Sequence, residues 1–389
     1  MRHRRFRSIG RLGEYDLDKR IGRPAGRRGV DDADTGVNAL LIIAGIVGVV
    51  WVLNDIFKQV LVPRATEGTV RISIIFARFC WIVARALFRK MPNNPKREEM
   101  LGLFAPLYFI TLVGIWLAAL IVFYGLILYG LRDEIQPIPQ DLGTAIYFAG
   151  TSLLTIGFGD YIAMQGPARF VTLVAGASGI GTVAVTIAFL YAILGAFQQR
   201  ERFVVVFDAR AGAPASGVAL LETYAGLGMI AQLSALFRDS ENWVADVLDS
   251  HLAYPILMAF RSSHKDESWV GALGALLDAA ALLVTVVEGV PNGDARLFLD
   301  IGMHLTHDLS EYFDLPDVGP IRATEAQMAA IRARLSAAGL RVRDEPDRWD
   351  RFNELRESYA RPLAGVAARW LHATAQLLGE RTALPGHLN

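Results

Sequence analysis

The run Thr155-Ile156-Gly157-Phe158-Gly159-Asp160 sets a glycine at every second position between larger side chains. Glycine adopts backbone conformations that strain other residues, so such a run can turn several successive carbonyl oxygens to one side. Carbonyls presented in that way replace the hydration shell of a dehydrated cation such as potassium. In this reading Ile156 and Phe158 pack outward and Thr155 adds a hydroxyl oxygen at the inner end. Asp160 braces the outer end by bonding to aromatic side chains behind the run. The chain carries one such run, a quarter of a ring, so the chemistry requires three further copies in a homotetramer. No cofactor is expected beyond potassium ions held by the run itself.

Three elements must position it. Leu142–Leu154 is apolar but too short to cross a bilayer, and its carboxyl end carries partial negative charge toward the ion. Leu101–Leu131 precedes it and Ala168–Phe197 follows it, each with the roughly 20 apolar residues that a span needs. A span, a short re-entrant helix, a glycine-rich loop and a second span make a pore domain over residues 101–197, with non-helical backbone only where it lines a cavity. Asp133, Glu134, Asp141 and Asp160 fall at the outer mouth, where acidic groups concentrate cations.

The rest of the chain surrounds that unit. Its 53% apolar content exceeds that of an ordinary globular domain, which points to an integral membrane protein. Residues 1–36 carry 10 Lys/Arg against 6 Asp/Glu and read as a largely disordered tail. Residues 37–100 carry 9 against 4. Both basic stretches flank membrane segments, so they read as cytoplasmic anchors and not as a nucleic-acid footprint. Val37–Val62 is a first membrane helix, with Asn54, Asp55 and Lys58 in its second half. Thr69–Phe88 carries Arg71, Arg78 and Arg85 every seventh position. It either crosses the membrane, giving four crossings and an internal N-terminus, or lies at the interface, giving three and an external one. The single Cys80 excludes an intramolecular disulfide. From residue 198 to 389 the pattern predicts an all-helical cytosolic domain, with helices over 218–237, 242–262, 269–288, 295–313, 323–338 and 348–378.

With these residues in view, the hexamer resembles the filter signature of the potassium channel pore superfamily, in the Phe variant common in two-pore-domain channels. Tyr147 and Phe148 fall where that family carries an aromatic pair around the filter. Gly179, in Ala177-Ser178-Gly179-Ile180, falls at its inner-helix gating hinge. Two positions depart from the pattern: Leu154 replaces a frequent second threonine, and Thr151 stands where some members have an acid that bonds the filter aspartate. The wider order, with Val60-Leu61-Val62-Pro63-Arg64 and Phe104-Ala105-Pro106-Leu107, is similar to a bacterial branch with a helical C-terminal region. The resemblance implies a potassium-selective channel subunit in the bacterial inner membrane, not an enzyme, gated through its cytosolic domain. The alternatives are a non-selective cation channel on the same scaffold, or a membrane receptor or sensor whose cytosolic domain carries the function.

Other motifs point elsewhere less well. Phe203-Val204-Val205-Val206-Phe207-Asp208 looks like a first strand, but no glycine-rich turn or βαβ alternation follows it. Gly176, Gly179 and Gly181 equally suit helix packing. Voltage-sensing helices carry basic residues every third position, not every seventh. His304 and His307, with Asp300 and Asp308 nearby, have a spacing that can hold a metal, yet an ordinary surface face accounts for them.

Overall fold

The computed structural model describes residues 27–60, 72–88, 90–91, 95–262 and 268–379. Three of its helices are long and apolar enough to cross a membrane: Thr35–Val60, Lys96–Gly130 and Gly166–Ala211. The first belongs to α1 (Arg27–Val60), which begins ten residues before the apolar run predicts. Residues 1–26 of the expected tail lie outside the described residues.

Helix α3 (Pro95–Gly130) runs antiparallel to α1. Gly48 makes the pairing close: a Cβ there would lie 2.1 Å from the Phe123 ring. At one end Arg132 donates to Asn38 Oδ1 at 2.6 Å. Further along, Trp116 Nε1 donates to Asp55 Oδ2 at 2.8 Å.

Helix α2 (Ile72–Phe88) follows only the first half of α3. Phe76 stacks on Tyr108, Trp81 meets Phe104 edge-on, and Phe88 packs with Leu101. Its first turn hangs on Asp55, which accepts from Ser73 N at 3.1 Å and Ser73 Oγ at 2.9 Å. Tyr108 adds a bond to the Ser73 carbonyl at 3.1 Å. Arg71 lies outside the described residues; Arg78 is exposed, and Arg85 Nη2 donates to Ala368 O at 3.5 Å. With 17 residues, α2 is about 25 Å long, short of the roughly 30 Å hydrocarbon core. Asp55→Ala would leave buried donors of Ser73 and Trp116 unpaired, at about 1–3 kcal/mol each. The expected result is a several-fold faster reaction of Cys80, on α2, with a maleimide in reconstituted membranes; an unchanged rate would show that α2 is held by other contacts.

The segment after α3 forms strand β1 (Ile135–Gln136), helix α4 (Leu142–Leu153) and strand β2 (Ile162–Ala163), with β1 and β2 antiparallel. Then α5 (Gly166–Ala211) runs unbroken for 46 residues, about 69 Å. The valine-rich run at 203–208, strand-like in sequence, is part of this helix. Val204 and Phe207 are buried against the domain that follows.

That domain is helical: α6 (Gly217–Gly226), α7 (Leu233–Ala253), α8 (Trp269–Thr285), α9 (Gly293–Phe313), α10 (Glu325–Ala337) and α11 (Pro346–Trp370). Two short strands, β3 (Val287–Glu288) and β4 (Arg341–Val342), pair antiparallel. Every residue from Trp269 to Leu283 is buried, so α8 is the central helix, as apolarity on all sides requires. The predicted helix over 218–237 is in fact two. Gly228 takes φ +67° and separates α6 from α7.

Candidate ion-conduction site

Asp141 caps α4: its carboxylate accepts from Thr144 N at 2.8 Å and Thr144 Oγ1 at 3.1 Å. Those bonds hold the carboxyl below its usual range. At the other end the chain turns back on the helix. Leu154 N donates to Gly150 O at 2.9 Å and Thr155 N to Ser152 O at 3.1 Å. Ile156 N, at 2.8 Å, and Gly157 N, at 3.3 Å, then share the Thr151 carbonyl.

In a trans peptide the N–H and C=O point in opposite directions. Two amides aimed at Thr151 therefore turn the carbonyls of Thr155 and Ile156 away from α4. The next residues continue the pattern by alternating φ. Thr155, Gly157 and Gly159 have φ of +55°, +62° and +82°, while Ile156 and Phe158 do not enter the positive region. A strand alternates its carbonyls between two sides; alternating the sign of φ brings them to one. Thr155 is β-branched, and its positive φ is an outlier that the two bonds to Thr151 hold in place.

Side chains back the loop. Phe158 lies parallel to Tyr147, with centroids 6.5 Å apart and an interplanar angle of 4°. Tyr161 meets Tyr147 edge-on at 6.3 Å and packs against Phe148 at the same distance. Asp160 is the hydrogen-bond neighbour of the Tyr147 hydroxyl. Thr151 is buried and its hydroxyl donates to Phe148 O at 3.0 Å, so it supports the loop through its own carbonyl and not through Asp160. Every residue from Leu154 to Asp160 is exposed in the single chain.

Of the other expected mouth acids, Glu134 is engaged: its Oε2 accepts from Ala168 N at 2.8 Å, in the first turn of α5. Gly179 sits where α5 crosses the end of α4. A Cβ at Gly179 would lie 1.9 Å from Leu153 O, so the absent side chain is what permits this approach. Gly179→Ala must push α5 away from the base of the loop. The expected outcome is a lower midpoint for thermal unfolding of the protein, by an amount matching about 1–3 kcal/mol; an unchanged midpoint would place the close approach elsewhere.

The His304/His307 pair divides. His304 faces Asp308 at 3.5 Å and His307 faces Glu311 at 4.0 Å, both histidines exposed. Among the described residues no three His, Cys, Asp or Glu side chains gather as a metal site.

Sequence reasoning missed Arg200. It is buried on α5, just beyond the apolar span, and donates to Leu257 O and Phe260 O, both at 3.1 Å. Its Nη1 stands 3.1 Å from His251 Nε2, and Glu201 pairs with it at 2.8 Å. The His251 Nδ1 faces Val247 O at 2.8 Å, which makes it the protonated nitrogen of a neutral ring. Burial and the Arg200 charge lower the His251 pKa to about 3. An arginine three positions after the end of the apolar run was the available signal.

The chain matches the ion channel family model over residues 110–195, which contains α4, the loop and most of both flanking apolar helices. An uncharacterized membrane protein of Bacillus subtilis is 23% identical over 197 residues, 50% of this chain and 56% of that relative. The match thus spans little more than half of the relative's length. No solved structure matches. With the apolar helices and the loop geometry, this makes residues 110–195 similar to the ion channel family, within a largely helical membrane protein.

Proposed function

We propose that four copies of this chain surround one axis and form a potassium-selective channel, with Thr155, Ile156, Gly157, Phe158 and Gly159 as the filter. The observation that carries this reading is the alternating φ with the amides of Ile156 and Gly157 drawn back to Thr151. Carbonyls turned to one side, in a segment exposed in one chain, suit a ring completed by neighbours. Transport is passive, and potassium is the permeating ion. Tyr147, Phe148, Thr151 and Asp160 stiffen the filter from behind, and Gly179 keeps the inner helix against its base.

The protein sits in a bacterial plasma membrane with the filter mouth outward. Three helices cross, α2 lies along the inner half of α3, and the N-terminal side of α1 is external, beside Arg132. The helical domain is cytoplasmic and governs the pore through the unbroken α5. Purified protein in liposomes would be tested for potassium against sodium flux, with its mass measured in mild detergent. Potassium flux from a tetramer is the expected result. Equal sodium flux would leave a non-selective cation channel, and a stable monomer in a non-dissociating detergent would overturn the assembly.

A further inference from the structure

Asp278 stands in the buried central helix α8, where every neighbour along the helix is apolar or small. Its Oδ1 accepts from Arg356 Nε at 3.1 Å and from the Tyr359 hydroxyl at 2.8 Å. Arg356 Nη1 donates to Ile321 O at 3.2 Å. Asp278 Oδ2 and Arg356 Nη2 are left with no hydrogen-bond partner among the described residues. Both residues line a cavity of about 120 Å³ between α8 and α11, walled by Val270, Leu363 and Thr374 and edged by the half-buried Ala360 and Ala364. A buried ion pair seldom stabilises a fold better than apolar side chains of the same size. One kept in a core helix, lining a cavity and with bonding capacity to spare, is better placed for a ligand than for packing.

We propose that this cavity is a ligand site of the helical domain, and that it takes the edge of a small primary amide or lactam. Such an edge places a carbonyl acceptor beside an N–H donor, the complement of a remaining Arg356 donor and a remaining Asp278 acceptor on one cavity wall. An apolar cavity of about 150 Å³ holds benzene, so about five or six heavy atoms fit here. The site also adjoins the Arg200 junction. Val270 follows Trp269, whose ring lies 5.8 Å from the Arg200 guanidinium and 4.9 Å from His251. Thr374 lies two residues from His372, which meets Trp269 edge-on at 6.1 Å. A ligand between α8 and α11 therefore touches neighbours of the side chains that grip α5. That coupling to the pore rests on the channel reading above; the binding does not.

The probe is 2-pyrrolidinone, a lactam of the right size, with N-methyl-2-pyrrolidinone as a control of similar shape that lacks the N–H. Binding to the full chain in lipid nanodiscs would be followed by saturation-transfer NMR. Saturable binding of the lactam is expected in the millimolar range, at least about tenfold weaker for the N-methyl form. Ala364→Leu, which fills the mouth and breaks no hydrogen bond, should weaken binding at least as much; if it unfolds, Ala360→Leu replaces it. No saturable binding to the unmodified protein, or equal binding of both lactams, would overturn the site. In liposomes the lactam should change potassium flux through the unmodified protein and not through the filled variant. Binding without a flux change in a conducting protein would overturn the coupling and leave the site standing. A protein that binds the lactam yet never conducts would count against the channel reading alone.

Discussion

Potassium flux from liposomes carrying Gly157→Ala is expected to fall to background if the proposed filter conducts, with membrane yield and assembled mass unchanged. Gly157 has φ +62°, and an added Cβ meets no atom within 4 Å in its own chain. The penalty therefore comes from the backbone. A left-handed conformation costs an L-residue about 1–2 kcal/mol, and the proposed fourfold ring would incur it four times, about 4–8 kcal/mol in all. The alanine can escape by moving to negative φ. That move breaks the alternation, turns a carbonyl off the common side and removes a ligand from every chain at once. The scaffold is expected to hold, because the Ile156 N–H bond to Thr151 and the Tyr147–Phe158 stack anchor the loop without Gly157. Near-normal flux through this variant would mean that the ion path does not use this loop.

Replacing Arg200 with Met should unlock the helical domain from the long helix. Methionine has nearly the volume of the arginine stem but none of its donors, so the Phe260 carbonyl loses its Arg200 donor and the Leu257 carbonyl keeps only the Phe260 N–H. A buried carbonyl stranded in this way costs about 1–3 kcal/mol, read as a lower unfolding midpoint of the domain. A second signature separates the charge from the packing. In the intact protein the His251 pKa is about 3, held down by burial first and by Arg200 second, against about 6.5 in an unfolded chain. The unfolded state thus binds the extra proton between these values. His251 contributes stability in full above about pH 6.5 and loses it as the pH falls toward 3. His372, also buried and held well below its usual range, acts in the same sense. Without Arg200 the second cause disappears, so the fall in the midpoint between pH 6.5 and 4 should become shallower. An equal slope in both proteins would remove Arg200 from the electrostatics of His251.

The candidate filter was readable in the sequence because it is local. Glycine at alternate positions, a short apolar helix before it and full spans around it all lie within 101–197. Helices α8, α9 and α10 were readable for the same reason, being apolar or amphipathic over their own length. What escaped depends on contacts between distant residues. The placement of α2 rests on Asp55 bonding Ser73, 18 residues away, and Trp116, 61 away. The support from Thr151 comes from a backbone carbonyl, which no side-chain pattern announces. The break between α6 and α7 turned on one glycine, Gly228, in an otherwise helical run. Arg200 is the first charged residue after a span in the sequence, and only the fold closes α7 and the 254–260 segment over it.

Gly179 places the backbone of α5 against Leu153 O, and two residues further on the chain enters the candidate filter run at Thr155. The same helix continues without interruption to Arg200 and the helical domain. In a conducting tetramer, then, ion occupancy and domain chemistry share one thermodynamic cycle. If a molecule bound to the domain changes the affinity of the filter for potassium by some factor, potassium must change the affinity for that molecule by the same factor. Titrating such a molecule in potassium and again in sodium would measure the free energy passed along α5 with no current recorded.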